Sequence, residues 1–218
     1  MSTEKATSQR HLFFQQFKEN SFHVGAILPS SRFLGRASAA FLARRQPVPV
    51  RVLEAGAGTG AFTQEIVPLL HPGDSLDIVE INPELMVCLK QRFHHETQFQ
   101  TQGVNVQFIN DDIRNVSADY IYDYIIFSLP LTNFPPSMVQ GILDLMMKRL
   151  KPGGVFSYVK YIFVGRLRYL FSGSMTKEQM KANQVIIDAF AKKYQLERRT
   201  VFLNIPPAWA YFWQKPIQ

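Results

Sequence analysis

The chain has 218 residues, enough for one α/β domain of ordinary size with a short appendage. Hydrophobic residues make up 46% and aromatics 13%, which excludes a disordered polar chain and supports a substantial core. The net charge of +7 favours anionic partners without choosing among nucleic acid, an acidic membrane surface and small phosphorylated molecules, and the lone Cys88 excludes an intrachain disulfide framework or a multi-cysteine zinc site.

The opening MSTEKATSQR has no apolar core behind it, and no apolar run approaches the roughly 18 residues that cross a bilayer. The expectation is a soluble or peripherally attached protein of a reducing compartment. Residues 7–20 place Leu12, Phe13, Phe14 and Phe17 against Arg10, Gln15, Gln16, Lys18 and Glu19, which predicts a short amphipathic helix. It either docks on the domain or lies in a membrane interface with its phenylalanines inserted. An uncharged loop over 21–32 follows, broken by Gly25 and Pro29, and Ser30 or Ser31 suits the N-cap of a helix over 33–44. Residues 1–47 thus read as a helical extension and possible lid, and 48–218 as the main domain.

From residue 51 strands and helices alternate: strand 51–55, helix 61–70, strand 75–80, helix 82–93, a polar insert 94–103, strand 104–110, strand 122–127, helix 135–150, a Lys-Pro-Gly-Gly turn and strand 155–163. A helix over 176–193 and strands near 196–203 and 208–214, paired as an antiparallel edge hairpin, complete the chain. This rhythm predicts a mostly parallel sheet covered by helices.

The chemistry concentrates after the first strand. Val52-Leu53-Glu54 runs into Gly56, Gly58 and Gly60 and then a helix, a turn with almost no side-chain bulk at the place where α/β sheets bind ligands. Glu80 ends the second strand 20 residues beyond Gly60, where a carboxylate accepts from ribose hydroxyls. A dinucleotide and S-adenosylmethionine both satisfy that pattern. Glu54, just before the first glycine, separates them: it repels a pyrophosphate but suits a cofactor with an ammonium and a sulfonium. Asp112, after the third strand, can lie beside an adenine edge; the alternative is a helix cap or loop acid.

With Lys151-Pro152-Gly153-Gly154 added, the series resembles the class I S-adenosylmethionine-dependent methyltransferases over about 48–214. The resemblance implies seven strands, the last antiparallel, with helices on both faces. It also implies that Gly56, Gly58 and Gly60 frame the cofactor, that Glu80 with Ile81 holds the ribose, and that Asp112 with Ile113 approaches the adenine. More narrowly, the runs 24–32, 56–63, Ser128-Leu129-Pro130-Leu131-Thr132-Asn133-Phe134 and Asn204-Ile205-Pro206-Pro207-Ala208 are similar to the bacterial phospholipid N-methyltransferases, which methylate phosphatidylethanolamine toward phosphatidylcholine. Two alternatives stand beside that reading. One is an rRNA adenine N6-methyltransferase, disfavoured because Leu131 follows the Leu-Pro pair where an aromatic would stack a flipped base. The other is a non-enzymatic, membrane-associated cofactor-binding protein.

Methyl transfer to an amine needs the nitrogen neutral and in line with the methyl carbon. Ser128, Leu129 and Pro130, with backbone carbonyls for the amine N–H groups, form the expected acceptor loop. Ser128 also borders the cofactor. His23 is the candidate base, with loop packing as its alternative. Tyr158 and Tyr161 are candidate headgroup contacts, with core or rim packing as theirs. No metal is expected, since His94 and His95 lack an adjoining ligand set. Residues 165–171, including Arg166 and Arg168, and the helix at 10–19 are the expected contacts with an anionic membrane at the inner face of the cytoplasmic membrane. The two arginines suit RNA phosphate equally, although nucleic acid is the disfavoured partner.

Overall fold

The computed structural model describes residues 31–116, 122–162 and 174–217. Seven strands form one sheet: β1 (Arg51–Ala55), β2 (Ser75–Val79), β3 (Asn105–Ile109), β4 (Tyr122–Phe127), β5 (Leu150–Tyr161), β6 (Gln195–Val201) and β7 (Ala208–Gln214). Their spatial order is β3-β2-β1-β4-β5-β7-β6. All pairs from β3 to β5 are parallel, while β7 runs antiparallel to both β5 and β6. The expected mostly parallel, seven-stranded sheet is therefore present. The tail hairpin forms with β7 on the inside, where Ala208, Ala210, Phe212 and Trp213 are buried, and β6 on the edge.

Helices α1 (Arg32–Ser38), α2 (Thr63–Ile66), α3 (Pro83–His95), α4 (Pro136–Arg149) and α5 (Ser174–Tyr194) cover the sheet. Alternation within each strand divides the core in two. Leu53, Ala55, Ile125, Phe127, Phe156 and Trp213 pack with Val139, Ile142, Leu143 and Met146 of α4 and Ile187 and Phe190 of α5. Val52, Leu76, Ile78 and Ile126 face the other way, onto Leu34, Phe62, Ile66 and Leu89. Parallel strands buried on both faces read as continuous apolar runs, which is why β1 and β4 have the bounds expected from sequence.

Two helices are shorter than expected. The helix over 61–70 is α2 followed by a 3-10 turn, Val67–Leu69, because Pro68 has no N–H for an α-helical bond. The helix over 33–44 stops at Ser38 and resumes as a 3-10 turn, Leu42–Arg44. Between them Ala40 is buried against Val155, Ala210 and Phe212, and the Phe41 ring lies 4.8 Å from Phe212. Ser31 is the N-cap, its side chain accepting from Leu34 N. The Lys-Pro-Gly-Gly turn is absorbed into β5, where the pairing with β4 shifts register between Tyr122 and Tyr124.

The strand order reverses at β1, whose neighbours are β2 and β4. A crevice at such a switch point, beyond the carboxyl ends of the strands, is the usual ligand site of open α/β sheets.

Candidate functional site

β1 ends at the switch point and delivers the glycine turn directly into that crevice. Gly56, Gly58 and Gly60 all have positive φ, at 82°, 58° and 90°. They serve different ends. A Cβ on Gly56 would sit 2.4 Å from Leu129 Cδ2, and one on Gly60 would sit 2.6 Å from Leu89 Cδ1 and 3.2 Å from the Phe99 ring. A Cβ on Gly58 would meet nothing within 4 Å. Two glycines let protein pack against the turn, and the middle one has open space before it.

The polar insert over 94–103 contributes to this packing. Phe99 is buried under Gly60, and Arg92 Nη1 donates to Thr59 O at 2.7 Å while its guanidinium binds Glu96. Sequence reasoning missed Phe99 because one aromatic in a polar stretch has no periodic partner.

Two carboxylates flank the turn. Glu80 Oε2 accepts from Gly58 N and Oε1 from Asn82 N, both at 2.8 Å, so the acid is clamped to the loop it faces. Burial raises its pKa, opposed by those amide bonds and by Ile81 N. Each carboxylate oxygen keeps a lone pair beyond these bonds, which suits it to accept from vicinal hydroxyls. Asn110 Nδ2, unremarked in the sequence, donates to Glu80 O at 2.8 Å and fixes the strand end. Ile81 itself is core. The Glu80→Ala variant is expected to weaken binding of S-adenosylhomocysteine at least roughly tenfold, the effect of losing a charge-assisted pair. Unchanged calorimetric affinity would rule out the ribose role.

Glu54 is fully buried below the turn. Its Oε2 accepts from Thr63 Oγ1 at 2.7 Å, and its Oε1 has no partner. Burial pushes its carboxyl up to about 8, with the Thr63 bonds pulling down and the Glu80 charge adding a small rise. An unpaired buried carboxylate oxygen is costly unless a cation or donor completes it. Together with the open space before Gly58 and the clamped Glu80, this is a fit for a cofactor carrying an ammonium, a ribose and a compact sulfonium.

On the other side of β1, Ser128 binds the turn to β4. Its N–H donates to Ala55 O at 3.0 Å and its hydroxyl to Ala55 O at 3.1 Å and to Gly56 O. Leu129 lies on Gly56, and Pro130 precedes a 3-10 turn, Leu131–Asn133. The sequence-selected Glu54, Gly56, Gly58, Glu80, Ser128, Leu129 and Pro130 thus meet along one edge.

α5 fastens this loop from outside. Asn183 Nδ2 donates to Leu131 O at 3.3 Å and Phe134 O at 2.8 Å, and Gln179 Nε2 donates to Phe134 O at 2.9 Å. No motif marks Asn183; its only sequence signal is a polar side chain on the apolar face of a helix. Asn183→Ala is expected to lower stability by about 1–3 kcal/mol and to reduce turnover while sparing S-adenosylhomocysteine affinity. Unchanged kcat would show that the clamp does not position the acceptor loop.

Other selected residues sit differently. Asp112 is buried, caps the 3-10 turn Ile113–Asn115 through Arg114 N, and pairs with the Arg114 guanidinium at 2.6–3.0 Å. The structure thus shows the cap, and an adenine contact by this carboxylate would share it with Arg114. The Ile113 side chain is core, and its carbonyl accepts from Arg149 Nη1 at 2.8 Å. Tyr158 is not on the rim. It is only 3% exposed and stacks at 4.9 Å on Tyr211 and near Phe156 and Trp213; burial raises its phenol far above neutrality. The sheet face it shares with Phe156 packs against α4 and α5, which turns its ring inward. His23 and the stretches 10–19 and 165–171 lie outside the described residues. Among those described, no three metal-ligating side chains come together, and no helix is long and apolar enough to cross a membrane.

Residues 53–156 match a family model described as a methyltransferase domain. An ornithine lipid N-methyltransferase from Singulisphaera acidiphila is 23% identical over 207 residues, covering 92% of this chain and 93% of that protein. The structure is similar to the N-methyltransferase NodS of Bradyrhizobium japonicum in complex with S-adenosyl-L-homocysteine, with a TM-score of 0.62 at 16% identity over 92% of this chain and 98% of that one. A SAM-dependent methyltransferase from Methanosarcina mazei gives a TM-score of 0.63 at 16% identity, over 82% and 98% of the two chains. The last two likenesses are of fold.

Proposed function

We propose that this S-adenosylmethionine-dependent N-methyltransferase acts on the primary amine of a membrane lipid, foremost phosphatidylethanolamine on the way to phosphatidylcholine. The observation that carries this reading is the relative with a lipid N-methyltransferase activity, which aligns along nearly the whole of both chains. The acceptor loop is consistent with it, since Ser128-Leu129-Pro130-Leu131 offers carbonyls and apolar surface but no charged side chain and no ring to stack a base.

When bound, the cofactor supplies an electrophilic methyl group on a sulfonium. Glu54 and Glu80 would hold its ammonium and ribose, and the space before Gly58 would admit its backbone-hugging portion. Asp112, which already pairs with Arg114, and the neighbouring Ile113 are the candidate adenine contacts. The chain's remaining task is to present a neutral nitrogen in line with the methyl carbon. The carbonyls of the 128–130 loop accept the amine N–H groups and point its lone pair. The ammonium proton of the free lipid leaves to water or to a base outside this loop, for which His23 is the sequence candidate. Ornithine lipid, named in the relative's activity, is the second acceptor to assay.

The test is transfer from methyl-labelled cofactor to phosphatidylethanolamine, ornithine lipid and ribosomal RNA in parallel. Label in phosphatidylethanolamine is the expected result. Label only in ornithine lipid would move the acceptor within the class, and label only in RNA would overturn the lipid reading.

A further inference from the structure

The loop joining β6 to β7, residues 202–207, holds three apolar side chains in the open: Phe202 is 76% exposed, Leu203 67% and Ile205 77%. Both β5 and β6 run antiparallel to β7, so β6 points the same way as β5 and the other parallel strands. The loop therefore leaves the sheet at the carboxyl edge, the edge that carries the glycine turn and Ser128-Leu129-Pro130. It lies two to three strand spacings from β4, roughly 10–14 Å along that rim.

The tip is held from beneath. Asn204 is buried between the exposed residues; its Nδ2 donates to Pro206 O at 2.7 Å, and its Oδ1 accepts from Ser31 N at 2.9 Å. Ile162 N donates to Pro207 O at 2.7 Å, and Val201 and Ala208 are buried on either side. Apolar side chains are thus displayed on an ordered frame, which limits the ordering entropy that contact would otherwise require. The Ser31 bond also sets the start of α1 alongside, adding exposed Arg32 and Phe33.

We propose that this tip is a membrane-insertion element: Phe202, Leu203 and Ile205 enter the interface of an anionic bilayer, and the carboxyl edge faces the headgroups. This deepens the lipid-amine reading and rests on it. The net charge of +7 and the adjacent Arg32 complement an anionic leaflet. Three side chains fall well short of the roughly 800 Å² per partner of a standard protein interface, whereas a bilayer takes an apolar tip without matching its shape.

The experiment compares the full chain with the triple variant Phe202→Ser, Leu203→Ser, Ile205→Ser in co-sedimentation with phosphatidylglycerol–phosphatidylethanolamine vesicles. Partitioning should fall at least roughly tenfold, a modest share of the transfer free energy of three apolar side chains. Unchanged affinity for S-adenosylhomocysteine shows that the variant is folded. A second probe, an environment-sensitive dye on Leu203→Cys in a Cys88→Ser background, should shift to the blue only when vesicles are added. Undiminished partitioning, or a dye silent to vesicles, overturns the proposal. So does a dye already shifted without vesicles, which assigns the patch to the chain's own residues if independent of protein concentration and to a second copy if not. Dye insertion without lipid methylation would leave the loop proposal standing and remove the lipid-amine reading. Methylation of detergent-dispersed lipid without dye insertion would do the reverse.

Discussion

Replacing Glu54 by Gln should make the cofactor-free protein more stable above neutral pH and a poorer binder of S-adenosylhomocysteine. The carboxyl is fully buried and pushed up to about 8 from an ordinary value of 4.5, with desolvation the largest cause. Below 4.5 both folded and unfolded chains hold the proton, and the group contributes its full stability. As pH rises from 4.5 to about 8 the unfolded chain releases a proton that the folded chain keeps, so stability falls through that window. At about 1.4 kcal/mol per pK unit the whole loss is on the order of 5 kcal/mol. Gln carries no charge to desolvate, although its amide must replace the bond from Thr63. A gain of about 1–2 kcal/mol at pH 8 is expected, or roughly 2–8 °C in Tm, and almost none at pH 4.5. Binding should change in the opposite sense, weakening roughly 10- to 100-fold as the unpaired Oε1 loses its charge. In the wild type at pH 7, pairing with the ligand ammonium would ionise Glu54 and release a proton, making calorimetric heats depend on the buffer. The variant should lose that dependence. A wild-type Tm that does not fall between pH 5 and 8 relative to the variant, or equal affinities, would remove Glu54 from this role.

That trade of stability for binding was partly legible in the sequence. An acid ending an apolar strand is conspicuous, and β1, β4 and β7 have the bounds expected from their apolar runs. Glu54, Gly56, Gly58 and Glu80 stand out by type and spacing and Ser128 by the family resemblance and its place after the fourth strand, and the parallel sheet brings their strand ends to one edge. What sequence could not show is which partner each side chain takes. Asp112 carries the same chemistry whether it meets an adenine or the Arg114 guanidinium two residues on, and it is the capped 3-10 turn that sets that guanidinium on it. Tyr158 alternates correctly for a strand, but the face it presents depends on α4 and α5 packing there. Phe99 and Asn183 act across long sequence separations, on Gly60 and on the 131–134 carbonyls, where no local pattern exists to be read.

The largest structural effect is expected from Gly56→Ala. At φ +82° an alanine is strained by roughly 1–2 kcal/mol. Its Cβ would also lie 2.4 Å from Leu129 Cδ2, 2.8 Å from Leu129 Cγ and 3.2 Å from Ser128 Oγ. A swing of the terminal methyl cannot clear Cγ, so the whole buried Leu129 side chain must change rotamer or carry its backbone with it, and Ser128 is bonded to the same turn. Overpacking of this kind adds about 1–3 kcal/mol. The displacement reaches the acceptor loop and the cofactor turn together, so turnover should fall roughly 100-fold or more. Gly58→Ala provides the contrast. Its Cβ meets no protein atom within 4 Å, so stability should fall only by the backbone term while cofactor affinity suffers from a methyl pointing into the cleft. Adding Leu129→Ala to Gly56→Ala relieves the clash but leaves the strain. The pair should therefore be less destabilised than the sum of the single variants, by about 0.5–3 kcal/mol. Strict additivity would mean that Gly56 is required for its backbone angle alone, and that Leu129 does not couple the acceptor loop to the turn.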